Sequence, residues 1–380
     1  MTRTDPLLLE TTRRILRTVA DPQTRRSAGD GRAAAWRALE GNGLTRAWIT
    51  EAAGGAGASL ADGFAILTLA GEVALDVPLA ETLLAGWLLA AVGLTVPEGA
   101  LAPAGGIGFG ALPPADGGVG FATTALGGPA GALAPAAGGV ALGPDGRLRG
   151  QVVAVPFARE VAWLAVPGRR AGGEAFVALV DRATCEIRPR DNLAGEPRDT
   201  VIFDGVAPAA LADAPADVAD RLCAMGAVAR ACQIAGALQG ILARSVAYAG
   251  ERVAFDRPIA KFQAIQHALA RLAGEAAIAL AASGSAADAL DAGTADADGL
   301  LLEVAGAKIR AGEAAAAGAA IAHQVHGAIG FSIEHPLHLF TRRLWAWRDD
   351  FGSESAWAVR LGAHVARRGA DALWPMLAAR

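Results

Sequence analysis

Apolar positions recur at helical spacing through the first quarter of the chain. Between Pro6 and Val19, Leu7, Leu8, Ile15 and Leu16 are set among Arg13, Arg14 and Arg17. That pattern predicts an amphipathic helix, stopped by Asp21-Pro22. A short helix is expected over 33–39, ending near Gly41-Asn42-Gly43. Ser59 or Asp62 is placed to cap the next one, which runs through Phe64, Leu67, Leu69 and Val73. A mostly buried helix is expected over 81–92.

The pattern changes at about residue 98. Gly and Pro become frequent, and short apolar runs alternate with turn residues. Strands are expected over 152–156, 161–166, 175–180 and 200–203, with Pro144-Asp145-Gly146 as a turn. The run 105–143 is so rich in Gly, Ala and Pro that it sets no strand register. Beyond about residue 213 long helical patterns return: 216–250, 262–282, 298–325 and 355–368, with Gly327 and Gly330 ending the third and Gly369 the last. The chain therefore divides into a helical zone (1–97), a small β zone (98–212) and a helical bundle (213–380), an α+β multidomain protein. No repeat of fixed period is visible. No G-x-G-x-x-G follows a strand, which argues against a Rossmann fold; the Gly-rich run 54–58 lies between helices and reads as a loop.

Composition narrows the function. The chain has 380 residues, 53% of them hydrophobic, and a formal net charge of −4. No basic surface points to nucleic acid. Three cysteines, Cys185, Cys223 and Cys232, are odd in number and widely spaced, which suits a reduced, intracellular protein. The N-terminus lacks a cleavage site of the signal-peptide kind. The apolar runs read as too short, or too broken by Gly, to span a bilayer of roughly 20 residues. A cytoplasmic protein is expected.

Three segments carry chemistry. The first is Trp48 to Ser59, with Pro78-Leu-Ala-Glu-Thr82 behind it. The second is Arg252-Val-Ala-Phe-Asp-Arg-Pro-Ile-Ala-Lys-Phe-Gln263. The third is Gln324-Val-His-Gly-Ala-Ile-Gly-Phe331, continuing through Ser-Ile-Glu-His-Pro336 to Asp349-Asp-Phe-Gly-Ser353. In this order and spacing they resemble the acyl-coenzyme A dehydrogenase family, over nearly the whole chain. The resemblance implies an N-terminal helical domain, a middle β-barrel and a C-terminal four-helix bundle. It also implies FAD, a tetramer, an acyl-CoA thioester oxidised between Cα and Cβ, and an electron-transfer flavoprotein as acceptor.

By the same resemblance, Arg252 reaches the FAD pyrophosphate across a subunit seam, as a guanidinium fork suits a phosphate. Phe255 packs near the cofactor, and Gln263 closes that segment. Gln324 bonds the cofactor of a neighbour, while Gly327 and Gly330 let backbone approach it. Trp163 matches a barrel position near the flavin ring. Three features depart from the family. Asp256 stands where it usually has Gly. The region around Thr123 and Thr124 lacks the usual flavin motif. The slot of the usual catalytic glutamate falls on Phe351, and the alternative slot on Gly226; neither side chain can take a proton. Asp350 is the nearest substitute base, although Arg348-Asp349-Asp350 also reads as a charged surface turn. His323 and His326 lack a third metal ligand and read as packing or surface groups.

Two functions remain open at this level. The chain is a self-sufficient FAD-dependent acyl-CoA dehydrogenase with Asp350 as base, or a non-catalytic subunit that completes the FAD site of a partner in a hetero-oligomer. A third, flavin oxidation without Cα deprotonation, has no substrate signal in the sequence.

Overall fold

The computed structural model describes residues 4–19, 31–105, 139–293 and 297–378. Asp21-Pro22, Thr123 and Thr124 lie outside the described residues. In chain order the elements are helices α1 (Pro6–Val19), α2 (Gly31–Gly41), α3 (Leu60–Glu72) and α4 (Leu79–Ala91), then strands β1 (Leu101–Pro103), β2 (Val140–Leu142), β3 (Leu148–Pro156), β4 (Trp163–Arg170), β5 (Ala175–Asp181), β6 (Glu186–Arg188), β7 (Arg198–Val206) and β8 (Ala210–Asp213). The long helix α5 (Val218–Glu251) leads into a hairpin, β9 (Val253–Ala254) and β10 (Arg257–Pro258). Helices α6 (Gln263–Ala292), α7 (Ala297–His326), α8 (Leu337–Asp349), α9 (Glu354–Arg368) and α10 (Ala370–Ala378) follow.

The chain forms two compact units. One comprises 45–57 and 78–226, the other 1–44, 58–77 and 227–380. In the first, the strands run in the order β6-β7-β3-β2-β4-β5-β8, and β1 joins β4. β1 and β2 both lie parallel to β4, beside residues 163–165 and 169–170 respectively. The other pairings are antiparallel. Among the described residues this is an open mixed sheet, with β6 and β8 at its ends and not paired to each other, rather than the closed barrel expected. β3 shifts register between Val152 and Val155, and Ala154 there takes φ +58°, a bulge that bends the strand. Val155, Leu164, Phe176, Val180, Val201 and Phe203 fill the core.

In the helical unit, α1 buries Leu16 and Thr12. Ser59 is the residue that caps α3, its Oγ accepting from Asp62 N at 3.0 Å. α3 meets α5 backbone to backbone. A Cβ on Gly71 would stand 2.1 Å from Gln233 O, and one on Gly236 1.8 Å from Thr68 O, so only glycine allows this crossing. α6 packs along α7, which also packs on α8 and α9. Helix α8 escapes the sequence reading, yet its signal is present. Leu337, Phe340, Leu344 and Trp347 recur at helical spacing behind Pro336 and are its buried face. α5 is long and apolar enough to cross a membrane, contrary to the reading of short, broken runs; 89% of its apolar window is buried inside the protein.

Candidate functional site

The residues of the second and third segments gather at one end of the helical unit. Tyr248, in the last turn of α5, donates its hydroxyl to His326 O at 3.3 Å, and its ring stacks on His326 with centroids 4.6 Å apart. That contact ties the C-terminal end of α5 to the C-terminal end of α7. Arg252 follows directly, its N–H donating to Tyr248 O at 2.8 Å, and its side chain is exposed. Gln324, in the last turn of α7, is also exposed. Gly327 ends that helix at φ +63° with open space where a Cβ would stand. Gly330 differs: a Cβ there would lie 3.0 Å from both His326 Cβ and Leu337 Cδ2, so its smallness serves packing.

Phe255 and Asp256 form the tip of the β9–β10 hairpin at φ +51° and +59°. Two consecutive left-handed residues make the primed turn that suits a tight hairpin. This accounts for Asp256 in a position where the family has Gly, since Asp is among the few side chains that tolerate this conformation. The Phe255 ring is 89% exposed and meets Phe262 only edge-on. Arg257 lies over Phe262 at 4.3 Å, and Gln263 is exposed at the start of α6. An exposed guanidinium, carboxamide and aromatic ring beside an open glycine fit one side of an FAD site, the side that meets phosphate. They do not enclose a cofactor.

Four histidines hold the loop behind this face. His323 Nε2 lies 2.9 Å from Thr341 Oγ1, and its ring stacks on Phe331 at 4.3 Å. His326 Nδ1 donates to Ala322 O at 2.8 Å. His335 Nδ1 accepts from Leu337 N at 3.2 Å, and His338 Nδ1 donates to His335 O at 2.8 Å. Burial lowers the pKa of His323 and His326. His335 is pulled down to about 4, first by burial and then by the charges of His326 and Arg244. No metal-binding cluster occurs among the described residues. Trp163 belongs to the β unit, where it opens β4 half-buried, with Leu101 and Asp181 as its strand neighbours.

Asp350 is elsewhere. Rather than forming a surface turn, it is buried, and Arg230 Nε donates to its Oδ2 at 2.9 Å. Arg230, itself 2% exposed, also donates to Gln233 Oε1 at 2.5 Å and lies over the Trp347 ring at 5.9 Å. Nearby, the fully buried Lys308 donates Nζ to Trp347 O at 3.2 Å and to Arg348 O at 2.5 Å, satisfying the carbonyls at the end of α8. Phe351 is buried at φ +56°, and its carbonyl accepts from Trp357 Nε1 at 2.9 Å. Arg348 and Glu354 form a further ion pair. Gly226 is buried in α5. The sequence reading missed Arg230 and Lys308. The signal of Arg230 is a lone cation within an apolar helical run, which a buried helix tolerates only with a partner, whereas Lys308, two positions from Arg310, carries no such signal.

Residues 216–348 match the family model described as the acyl-CoA dehydrogenase C-terminal domain. The chain is 31% identical over 349 residues to the acyl-CoA dehydrogenase FadE34 of Mycobacterium tuberculosis. That match covers 88% of this chain but 43% of FadE34, so the chain spans less than half the length of that relative. Among solved structures, the fold is shared with the ChsE4–ChsE5 complex of Mycobacterium tuberculosis, at TM-score 0.78, 23% identity and coverage of 94% and 96% of the two chains. It is likewise similar to the Tcur3481–Tcur3483 steroid acyl-CoA dehydrogenase G363A variant, at TM-score 0.78, 25% identity and coverage of 95% and 97%.

Proposed function

We propose, on the similarity of the chain to the acyl-CoA dehydrogenase family, that it is the non-catalytic subunit of a hetero-oligomeric, FAD-dependent acyl-CoA dehydrogenase, completing the FAD site of a partner subunit. FAD, when bound, accepts the hydride from Cβ of the thioester. The protein must supply a base within reach of the Cα proton. In this chain the two family positions for that base hold Phe351 and Gly226. The neighbouring carboxylate, Asp350, is engaged by Arg230 inside the helical unit. That ion pair is the observation that carries the reading. What the chain offers instead is outward-facing: Arg252 for a phosphate, Gln324 as donor and acceptor, Gly327 for close backbone approach. Such groups suit a cofactor held mainly by another subunit. Both solved relatives above are named as pairs of proteins, and FadE34 has room for more than one chain of this length.

The test is the visible spectrum. The chain alone should purify colourless and without turnover. Co-purified with an acyl-CoA dehydrogenase-like partner, it should be yellow, and acyl-CoA should bleach the flavin. Asp350→Asn should leave turnover per folded complex unchanged, and Arg252→Gln should strip flavin from it. Stoichiometric FAD and full turnover in the chain alone would establish the self-sufficient enzyme instead. So would a loss of orders of magnitude in Asp350→Asn with the complex intact.

A further inference from the structure

Helix α6 is buried along one side and exposed along the other. Leu272, Ala276, Ala279, Ser283, Ala286 and Ala287 are its buried face, packed on α7 and α3. The opposite face carries no charge from Gly274 to Ser285; between them it shows Ala277, Ile278, Ala281 and Gly284. Ile278 and Leu280 are 47% and 38% exposed. A helix that faces only water normally carries charged and polar residues on that side. Glu275, at the margin, is paired with Arg310 at 3.1 Å. Gly274 and Gly284 have open space where a Cβ would stand, and both lie inside the helix, where glycine is less stable than alanine. No described residue of the chain requires glycine at these two places, whereas a second backbone approaching closely would. Charge is confined to the two ends of the face. His267 and Arg271 stand exposed at its start, Asp288 and Asp291 half-buried at its finish. Asp291 also accepts from Leu60 N at 2.8 Å.

We propose that the outward face of α6 is a self-association surface, pairing antiparallel with α6 of a second copy of this chain about a two-fold axis at residue 279. A two-fold contact requires a surface complementary to itself. Positions 267, 270, 274, 277, 281, 284, 288 and 291 are three and four residues apart, the spacing at which two helices interlock. The series is symmetric about 279. Turned end for end, Gly274 falls on Gly284, Ala277 on Ala281, Ala270 on Asp288 and His267 on Asp291, and Arg271 comes beside Asp288. The glycines let the two backbones come close, and Ile278 meets its counterpart near the axis. Antiparallel pairing brings the basic end of each helix to the acidic end of the other, and parallel pairing sets like charges together.

Sedimentation velocity of the full chain alone, over a concentration series, tests this. The chain should form a dimer. Gly274→Glu with Gly284→Glu should weaken that dimer by about 100-fold or more. The monomer of this variant should melt no lower than the parent's, because both sites are open and both changes favour helix. Arg271→Asp alone and Asp288→Arg alone should each weaken the dimer by about 10-fold, and the two together should restore it. These residues are 17 positions and so roughly 25 Å apart on one helix, so coupling between them must come from a second copy. The proposal falls if the chain is monomeric throughout, if the glycine variant dimerises like the parent, or if the single swaps are silent or the double swap does not restore. A face taken by a different subunit shows itself as a monomer alone and as loss of that subunit's binding in the glycine variant, which also overturns the proposal. Flavin content and turnover decide the hetero-oligomer reading separately: a chain that dimerises through α6 and is yellow and active alone keeps this inference and loses that one.

Discussion

Around Asp350, the polar side chains Arg230, Gln233 and Lys308 are buried and bonded within the helical unit; around Arg252, the polar side chains Arg252, Gln263 and Gln324 stand exposed. The same helices build both places. Arg230 lies on α5 and Arg252 directly follows its end, 22 positions on and so roughly 30 Å away, and Lys308 and Gln324 both lie on α7. The difference is in what the charges serve. At the closed end they complete the fold, because a charge taken out of water must be matched within the protein. At the open end they are solvated and need no match, which leaves them free for a ligand or a second chain. Resemblance to a family therefore has to be tested residue by residue. Asp350, beside the position that the resemblance assigns to the base, is bonded within the protein, while the positions that it assigns to the cofactor face outward.

The sharpest way to break this comparison is Arg230→Leu. It removes the arginine from beside the buried carboxylate of Asp350 and should cost about 3–5 kcal/mol in chemical denaturation. A loss below about 1 kcal/mol would mean that the ion pair is not buried as described. Lys308→Met leaves the carbonyls of Trp347 and Arg348 without that donor and should cost about 1–3 kcal/mol by the same measurement. A weaker effect comes from the histidines behind the open end. His335 titrates near 4 in the folded chain against an ordinary value of 6.5, and His323 and His326 are lowered too. As pH falls below about 6.5 the unfolded chain takes up these protons first. The melting temperature should therefore decline from about pH 6.5 to about pH 4, and replacing His335 with Gln should flatten that decline. Smallest of all, Arg252→Gln and Gln324→Ala should each change stability by no more than about 0.5 kcal/mol. A larger loss at either would show that the open end also supports the fold.

Much of the fold was legible. The helical periods of α1, α5, α6 and α7 and the strand runs of β3, β4, β5 and β7 appear in the chain as written, because burying one face imposes a period on the sequence. Boundaries were less so: α6 extends to Ala292, ten residues beyond its expected end, as alanine continues a helix without marking where it stops. Of the candidate site, the outward residues were legible because their motifs are contiguous along the chain. Trp163 was a pattern match of the same kind, and the structure adds only its half-buried place at the start of β4.

The sequence alone determined the residues that its family resemblance singles out: a phenylalanine and a glycine where the resemblance expects a base, and an arginine and a glutamine where it expects a cofactor. Only the tertiary structure decided what Asp350 does. Its partner Arg230 lies 120 residues away. No local pattern records that pairing, because the cost of burying each charge is met only when the folded helices bring the two together.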